Sequence, residues 1–319
     1  MWKLLQLIWT GPAMMLLVVQ PASGQPYPNK PVRILTAEVG GSTDFAARLI
    51  ASNLSSAVRQ PVIVENRSTR ILAEFAAKAS NDGYSLLITS GSLWLIPFLQ
   101  DKVAYDPVKS FSPVSLLTRA PNVLVVHPTL AVTSVKELIA LAKSKPGQLN
   151  YGMGPPGSSP HLAGELFKAM AGVSIVGVPY KGMAPALTDL LGGQLQLIFA
   201  TASAASPHVK SGRLRALAVT SATPSALAPG SPTMTASGLP GYLAESIYGA
   251  WTPAGVPAQI LRYLNQNIVR VLNITEVKEK FFNVGTETVG SAPEEFATTI
   301  KSEMTRMGKV IKDAGIRAE

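Results

Sequence analysis

PVRILTAEVGGSTDFAARLIASNLSSAVRQPVIVE, residues 31–65, carries an apolar strand, a glycine turn, an apolar-striped helix and a second strand in that order. The aliphatic run 32–36 reads as the first strand, 45–57 as the helix and 61–65 as the second strand. Strand, helix and strand at this spacing form the βαβ unit of a parallel sheet, because a parallel return needs a crossover that a helix supplies. The chain is therefore expected to be α/β.

Downstream the same alternation continues, with a helix at 72–79, a strand at 85–89, and two further strands at 113–117 and 122–127. A second series follows from 135 to 220. Its helix at 160–170 sets Leu162, Leu166, Phe167 and Met170 on one face, the spacing of a core-facing stripe. Residues 221–241, rich in Pro, Ser, Thr and Gly, read as a long loop. A strand at 248–253 then returns to the first series, and helices at 257–272, 275–283 and 293–314 close the chain. The expected organisation is two α/β lobes joined by two crossings, one built from residues 25–126 with 248–319 and the other from 127–247.

At the start, Lys3 precedes the apolar run 13–19, and Pro21, Ala22 and Gly24 follow. This is the pattern of a secretory signal peptide over 1–24, cleaved near Gly24 and sending the protein to the periplasm. The 319-residue chain has no cysteine and three histidines, which excludes disulfides and thiol chemistry and leaves little for a metal centre. A formal charge of +9 is spread along the sequence with no long basic run, so nucleic acid is not an expected partner. A diffuse positive field favours anionic ligands.

Gly40, Gly41, Ser42, Thr43 and Asp44 lie between the first strand and the first helix. Glycines allow close backbone approach, and the free N–H groups of a first helical turn attract a carboxylate or phosphate. Asp44 also has the position of an ordinary helix cap. Gly157, Ser158 and Ser159 repeat the device ahead of the helix at 160–170, with His161 either a ligand donor or a structural histidine. Ser90, Gly91 and Ser92 follow a strand at its carboxyl end, where open α/β sheets bind ligands. Tyr180 and Lys181 sit in a strand-to-helix loop and offer a hydroxyl and a cation. Gly152, Gly154 and Gly157 have dinucleotide-fingerprint spacing, but Pro155 and Pro156 occupy the turn that needs amide donors, and no acid ends the next strand. No nucleophile elbow, histidine pair or paired acids stand out, so neither an enzyme, a cofactor nor a metal is expected.

These residues together resemble the Bug-type periplasmic binding proteins of tripartite tricarboxylate transporters. The resemblance is carried by YPNKPVRI at 27–34, GGSTD at 40–44, QPVIVENR at 60–67, DGYSLL at 82–87 and YDPVKSFSPVSLL at 105–117. PNVLVVHP at 121–128, SSPHLAGELFK at 158–168, VPYKG at 178–182 and ALTDLLGGQLQLIF at 186–199 extend it through the second lobe. It implies a two-lobe, type II periplasmic binding protein fold that captures a small organic acid, normally a carboxylate, in an interlobe cleft. It also implies delivery to the large and small permease subunits of the transporter, by a protein expected to be monomeric. The implied ligand loops are 40–44, 158–161 and 178–182. A membrane sensor as the partner, or a member that no longer binds carboxylates, remain as alternatives.

The chain departs from the resemblance at three places. Glu38 stands in the stretch before GGSTD, where the family has prolines or small residues. Ser68 to Glu74 replace a glycine-rich loop, adding Arg70. Ala200 and Thr201 stand where many members have an acid, so a ligand amine paired there is not expected. These changes favour a monocarboxylate or aromatic acid over a citrate-like polyanion.

Overall fold

The structure is a computed structural model that describes residues 27–155 and 157–317. The expected signal peptide at 1–24 lies outside them. Among the described residues no helix is long and apolar enough to cross a membrane.

The chain runs β1 (Val32–Thr36), α1 (Ser42–Val58), β2 (Val62–Asn66), α2 (Thr69–Ala77), β3 (Ser85–Ser90), α3 (Ser92–Leu99) and the long β4 (Phe111–Val126). It continues through α4 (Val135–Ser144), β5 (Asn150–Met153), α5 (Ser159–Ala171), β6 (Val176–Pro179), α6 (Met183–Leu191), β7 (Leu197–Thr201), α7 (Ala202–Lys210) and β8 (Arg215–Val219). It ends with β9 (Glu245–Pro253), α8 (Ala258–Leu272), α9 (Thr275–Asn283), β10 (Glu287–Thr288) and α10 (Pro293–Asp313). The fold is the α/β, two-lobe periplasmic binding architecture with a curled mixed sheet. The sheet order is β2-β1-β3-β9-β4-β7-β5-β6, with β8 and β10 also paired to β4.

Pairing is parallel at the βαβ units, β1 with β2 and β3, and β5 with β6 and β7. It is antiparallel wherever β4 or β9 takes part. β4 changes partners along its length: Phe111 to Pro121 lie opposite β9, and Asn122 to Val126 lie opposite β7. The two strands expected at 113–117 and 122–127 are thus one. Proline lacks a ladder donor, and here register shifts after Pro113 absorb one break while Pro121 falls where the partner changes. The helix α3 was not expected, because SLWLIPFL is apolar all round and holds Pro97, which gives neither a stripe nor an uninterrupted helix.

Where β4 changes partners, three buried residues form a polar knot. The Asn122 amide donates to Thr220 Oγ1 at 2.8 Å, and that hydroxyl donates to the Ala244 carbonyl at 2.7 Å. The Thr220 amide donates to Asn122 O at 2.9 Å and the Ala244 amide to Thr220 O at 3.0 Å. Asn122 Nδ2 adds a 2.8 Å bond to Ser159 Oγ at the start of α5. The knot joins the outgoing passage of the chain in β4 to its return ahead of β9.

Apolar packing surrounds it. Leu35, Trp94, Phe167, Trp251 and Phe296 belong to one buried cluster, and α10 packs across α3, β4 and α5. Trp251 and Phe296 rings stand 4.9 Å apart, with Trp94 5.8 Å from Trp251. Gly249 leaves room for them, since a Cβ there would lie 2.2 Å from Phe296 Cζ.

Thr220→Val keeps shape but orphans the Asn122 amide, and the expected loss is about 1–3 kcal/mol of unfolding free energy in urea titrations. Gly249→Ala is expected to cost a similar ~1–3 kcal/mol by overpacking the indole cluster, read from the same titration midpoint.

Candidate ligand-binding site

The loop ahead of α1 is shaped by its own acids. Gly40 adopts φ +85°, a left-handed conformation that suits glycine. Buried Asp44 accepts from the Gly40 amide at 2.9 Å, from Arg48 Nε at 3.0 Å and from Asn66 Nδ2 at 2.8 Å. Burial alone would raise the Asp44 carboxyl, but these donors outweigh it and hold the group below its ordinary range. Exposed Glu38 accepts from the Thr69 amide at 2.7 Å and the Thr69 hydroxyl at 2.5 Å, and the same bonds lower its pKa. Both acids are thus turned to the protein and brace the loop against β2 and α2. The amides of Ser42, Thr43 and Asp44, at the start of α1, have no partner among the described residues. They remain available to an anion.

Two chambers meet at Tyr248. One of about 250 Å³ is lined by Gly40, Gly41, Ser42, Thr118, Tyr248 and Phe281, among others. Its apolar wall includes Phe45, whose ring stands 5.8 Å from that of Phe281. The Thr118 hydroxyl is buried without a partner. The other chamber, of about 420 Å³, brings together Ser90, Gly91 and Ser92 with Gly157, Ser158 and Ser159. It also holds Glu245, Glu303 and Tyr248, over an apolar floor that includes Leu99 and Leu162. In the sheet, Tyr248 lies opposite Ser90 on one side and Thr118 on the other, so these side chains share a face.

The Ser90 and Ser92 hydroxyls are 2.9 Å apart, and the Gly91 amide donates to Ile247 O at 2.9 Å, which fixes the start of α3 to β9. In the facing turn, Ser159 is held by Asn122, whereas Ser158 Oγ is buried and unpartnered. His161 is buried, and its Nδ1 accepts from the Gly157 amide at 3.1 Å. That bond needs a neutral ring with its proton on Nε2. Burial, reinforced by Lys168, pushes the imidazole below its ordinary pKa against the opposite pull of Glu165.

The remaining expected residues line neither chamber. Tyr180 donates to Asp189 Oδ2 at 2.5 Å, and burial together with that carboxylate pushes its hydroxyl up to about 12. Lys181 is exposed. Ala200 is wholly buried, paired with Val123 across β7 and β4. Thr201 pairs with Asn122, and its hydroxyl lies 3.5 Å from that of Ser203, whose Cβ would stand 2.7 Å from a Cβ at Gly285. Sequence reading had no signal for Thr118, Glu245, Tyr248 or Phe281, because their convergence depends on β4, β9 and α9 packing side by side. Among the described residues no group of three His, Asp or Glu could hold a metal ion.

Residues 46–316 match the profile of the tripartite tricarboxylate transporter family receptor. The chain is 35% identical over 310 residues to BugT of Bordetella pertussis, with 94% of each protein covered. Among solved structures it is similar to an R. palustris protein with adipate, at 37% identity and a TM-score of 0.71, covering 91% of this chain and 99% of that one. It is also similar to MatC of Rhodopseudomonas palustris with bound malate, at 28% identity and a TM-score of 0.66, covering 89% and 100%.

The His161 bond has a pH signature. The folded imidazole titrates below the unfolded value of about 6.5, so unfolding takes up a proton in that interval. This contribution to stability is complete above the unfolded pKa and is lost as pH falls towards the folded one. His161→Phe is expected to flatten the slope of melting temperature against pH as pH falls below about 6.5, measured by calorimetric scans.

Proposed function

The chain belongs to the tripartite tricarboxylate transporter family of receptors, and on that premise we propose that it is an exported periplasmic protein which captures a small organic acid. The ligand is enclosed between the two lobes, released unchanged, and handed to the membrane permease subunits of a tripartite tricarboxylate-type transporter. The observation that carries this reading is the set of unpaired amides at the start of α1, where Gly40, Gly41 and Ser42 line a chamber that neither nearby acid lines. A carboxylate meeting those amides gains charge-assisted hydrogen bonds and the favourable end of the helix dipole. The ligands of the two R. palustris relatives, adipate and malate, support a small carboxylate.

We assign residues 25–126 and 248–319 to one lobe and 127–247 to the other, with residues 1–24 as the signal peptide. The change of partners along β4 supports a hinge at the Asn122–Thr220–Ala244 knot. The larger chamber draws its walls from both sides of that knot, at Ser90 to Ser92 and at Gly157 to Ser159. Closure about the knot would tighten those walls on a bound acid. Of the expected ligand residues, 40–42, 90–92 and 157–159 have the strongest support. Tyr180, Lys181 and Thr201 belong to this proposal as groups brought to the cleft on closure.

Thermal-shift screening of the mature protein against organic acids, followed by calorimetry, tests the reading. A ligand at a hundred times its Kd is expected to add about 2.7 kcal/mol to stability. Ser42→Pro is the sharpest variant: proline is accepted at the first helical position, Gly41 already has φ −79° and ψ 169°, and one amide donor disappears. Binding should weaken roughly ten- to a hundredfold with α1 intact by circular dichroism. If no acid stabilises the wild-type protein, the chain is a member that has lost carboxylate binding.

A further inference from the structure

Glu245 opens β9, opposite Pro121, and faces the larger chamber beside Ser90, Ser92 and Ser158. Its side chain is only 5% exposed, yet its carboxylate accepts no hydrogen bond from any described residue. The nearest cation is Arg119, whose Nε stands 4.0 Å away and is itself buried without a hydrogen-bond partner. The other charges around it are committed elsewhere. Arg306 is ion-paired to Glu303, and Glu287 Oε1 accepts from the Ser225 hydroxyl at 2.8 Å and the Ala226 amide at 3.1 Å. Burial pushes the Glu245 carboxyl up, Arg119 and Arg306 pull it back, and Glu287 adds to the rise.

Glu245 thus presents to the chamber a carboxylate that the protein leaves without a hydrogen-bond donor, and a ligand group that excludes water there must supply one. The chamber's own donors, among them the unpartnered Ser158 hydroxyl and the mutually paired Ser90 and Ser92 hydroxyls, make no hydrogen bond to Glu245, and its second acid is already matched. A second anion brought beside Glu245 would be repelled, whereas a donor would complete it.

We propose that Glu245 is a specificity-determining residue that accepts a hydrogen bond from a hydroxyl or ammonium group carried by the ligand away from its bound carboxylate. The ligand is then a hydroxy or amino acid in preference to an unsubstituted dicarboxylate. The inference rests on the reading of the chain as an organic-acid receptor.

Calorimetry on the wild-type protein would compare an unsubstituted monocarboxylate of about four to six carbons with its hydroxy, amino and dicarboxylate counterparts. The hydroxy or amino acid is expected to bind at least roughly tenfold more tightly than the unsubstituted acid and the dicarboxylate. Glu245→Met, similar in length but without an oxygen acceptor, should reduce that preference to within about threefold. Glu245→Gln separates the two donors: a hydroxyl preference survives on its amide oxygen, and an ammonium preference does not. Tightest binding of the dicarboxylate by the wild-type protein, or an equal change for all ligands in Glu245→Met, would overturn the proposal. Should Glu245→Met not fold, the wild-type ranking and Glu245→Gln decide it. Failure of every acid to bind the wild-type protein is a different result, because it removes the receptor reading itself.

Discussion

The knot of Asn122, Thr220 and Ala244 is the constraint on which the rest of the molecule depends. At this point a single strand, β4, stops pairing with β9 and begins pairing with β7, so the backbone of both passages must be satisfied by groups that belong to neither regular ladder. A buried amide or carbonyl left over here would cost about 1–3 kcal/mol. The Thr220 hydroxyl meets the need from one atom, taking the Asn122 amide and giving its proton to Ala244. The Asn122 side chain carries the arrangement onward to Ser159, so the start of α5 is referenced to the same point as the two crossings.

Ligand chemistry follows from how charge is disposed around that frame. The loop preceding α1 contains two acids within a few residues of the free amides, which would oppose a carboxylate if either pointed at it. Asp44 is taken up by Gly40, Arg48 and Asn66, and Glu38 by Thr69, so each acid becomes a brace. These contacts lower the pKa of both groups, which means that the bracing is complete at neutral pH. What remains facing the smaller chamber is the positive end of a helix beside aromatic and hydroxyl side chains. The positive net charge of the chain adds a long-range bias in the same direction.

Local pattern carried much of this into the sequence. The β1–α1–β2 unit lies within three residues of where periodicity and glycine placement put it at every boundary, because its stripe and turn are self-contained. The helix expected at 275–283 is α9 with the same limits. Features that need partners from afar were not legible. Asp44 is not the helix cap that its position suggested, since Gly41 takes that place and Asp44 stands in the first turn of α1, and its bond to Asn66 waits on β2 being laid beside β1. Residues 118–121 read as a break between strands, since nothing local says that β9 will lie alongside them. Glu245 sits in an unremarkable stretch, and only the pairing of β9 with β4 brings it to the wall of the larger chamber. The loop at 40–44 was therefore legible as a candidate, whereas the opposite wall of the chambers is a product of topology.

Tyr248 shows how binding and closure can be coupled through few atoms. It walls both chambers, lies between Ser90 and Thr118 in the sheet, and follows Glu245 by three residues along β9. A ligand can shift the balance between open and closed forms only by the difference in its affinity for them. On the proposed division into lobes, contacts to the first lobe alone would be available in either form and would contribute nothing to that difference. On the proposed closure, contacts to Ser158 and its neighbours, reached from across the knot, would strengthen as the lobes approach. A ligand touching the α1 amides, Tyr248 and the α5 turn together would hold groups on both sides of the proposed hinge strand in one geometry. The selectivity of such a receptor and its closure would then draw on the same few side chains, and a ligand too short to pass Tyr248 would bind without closing the cleft.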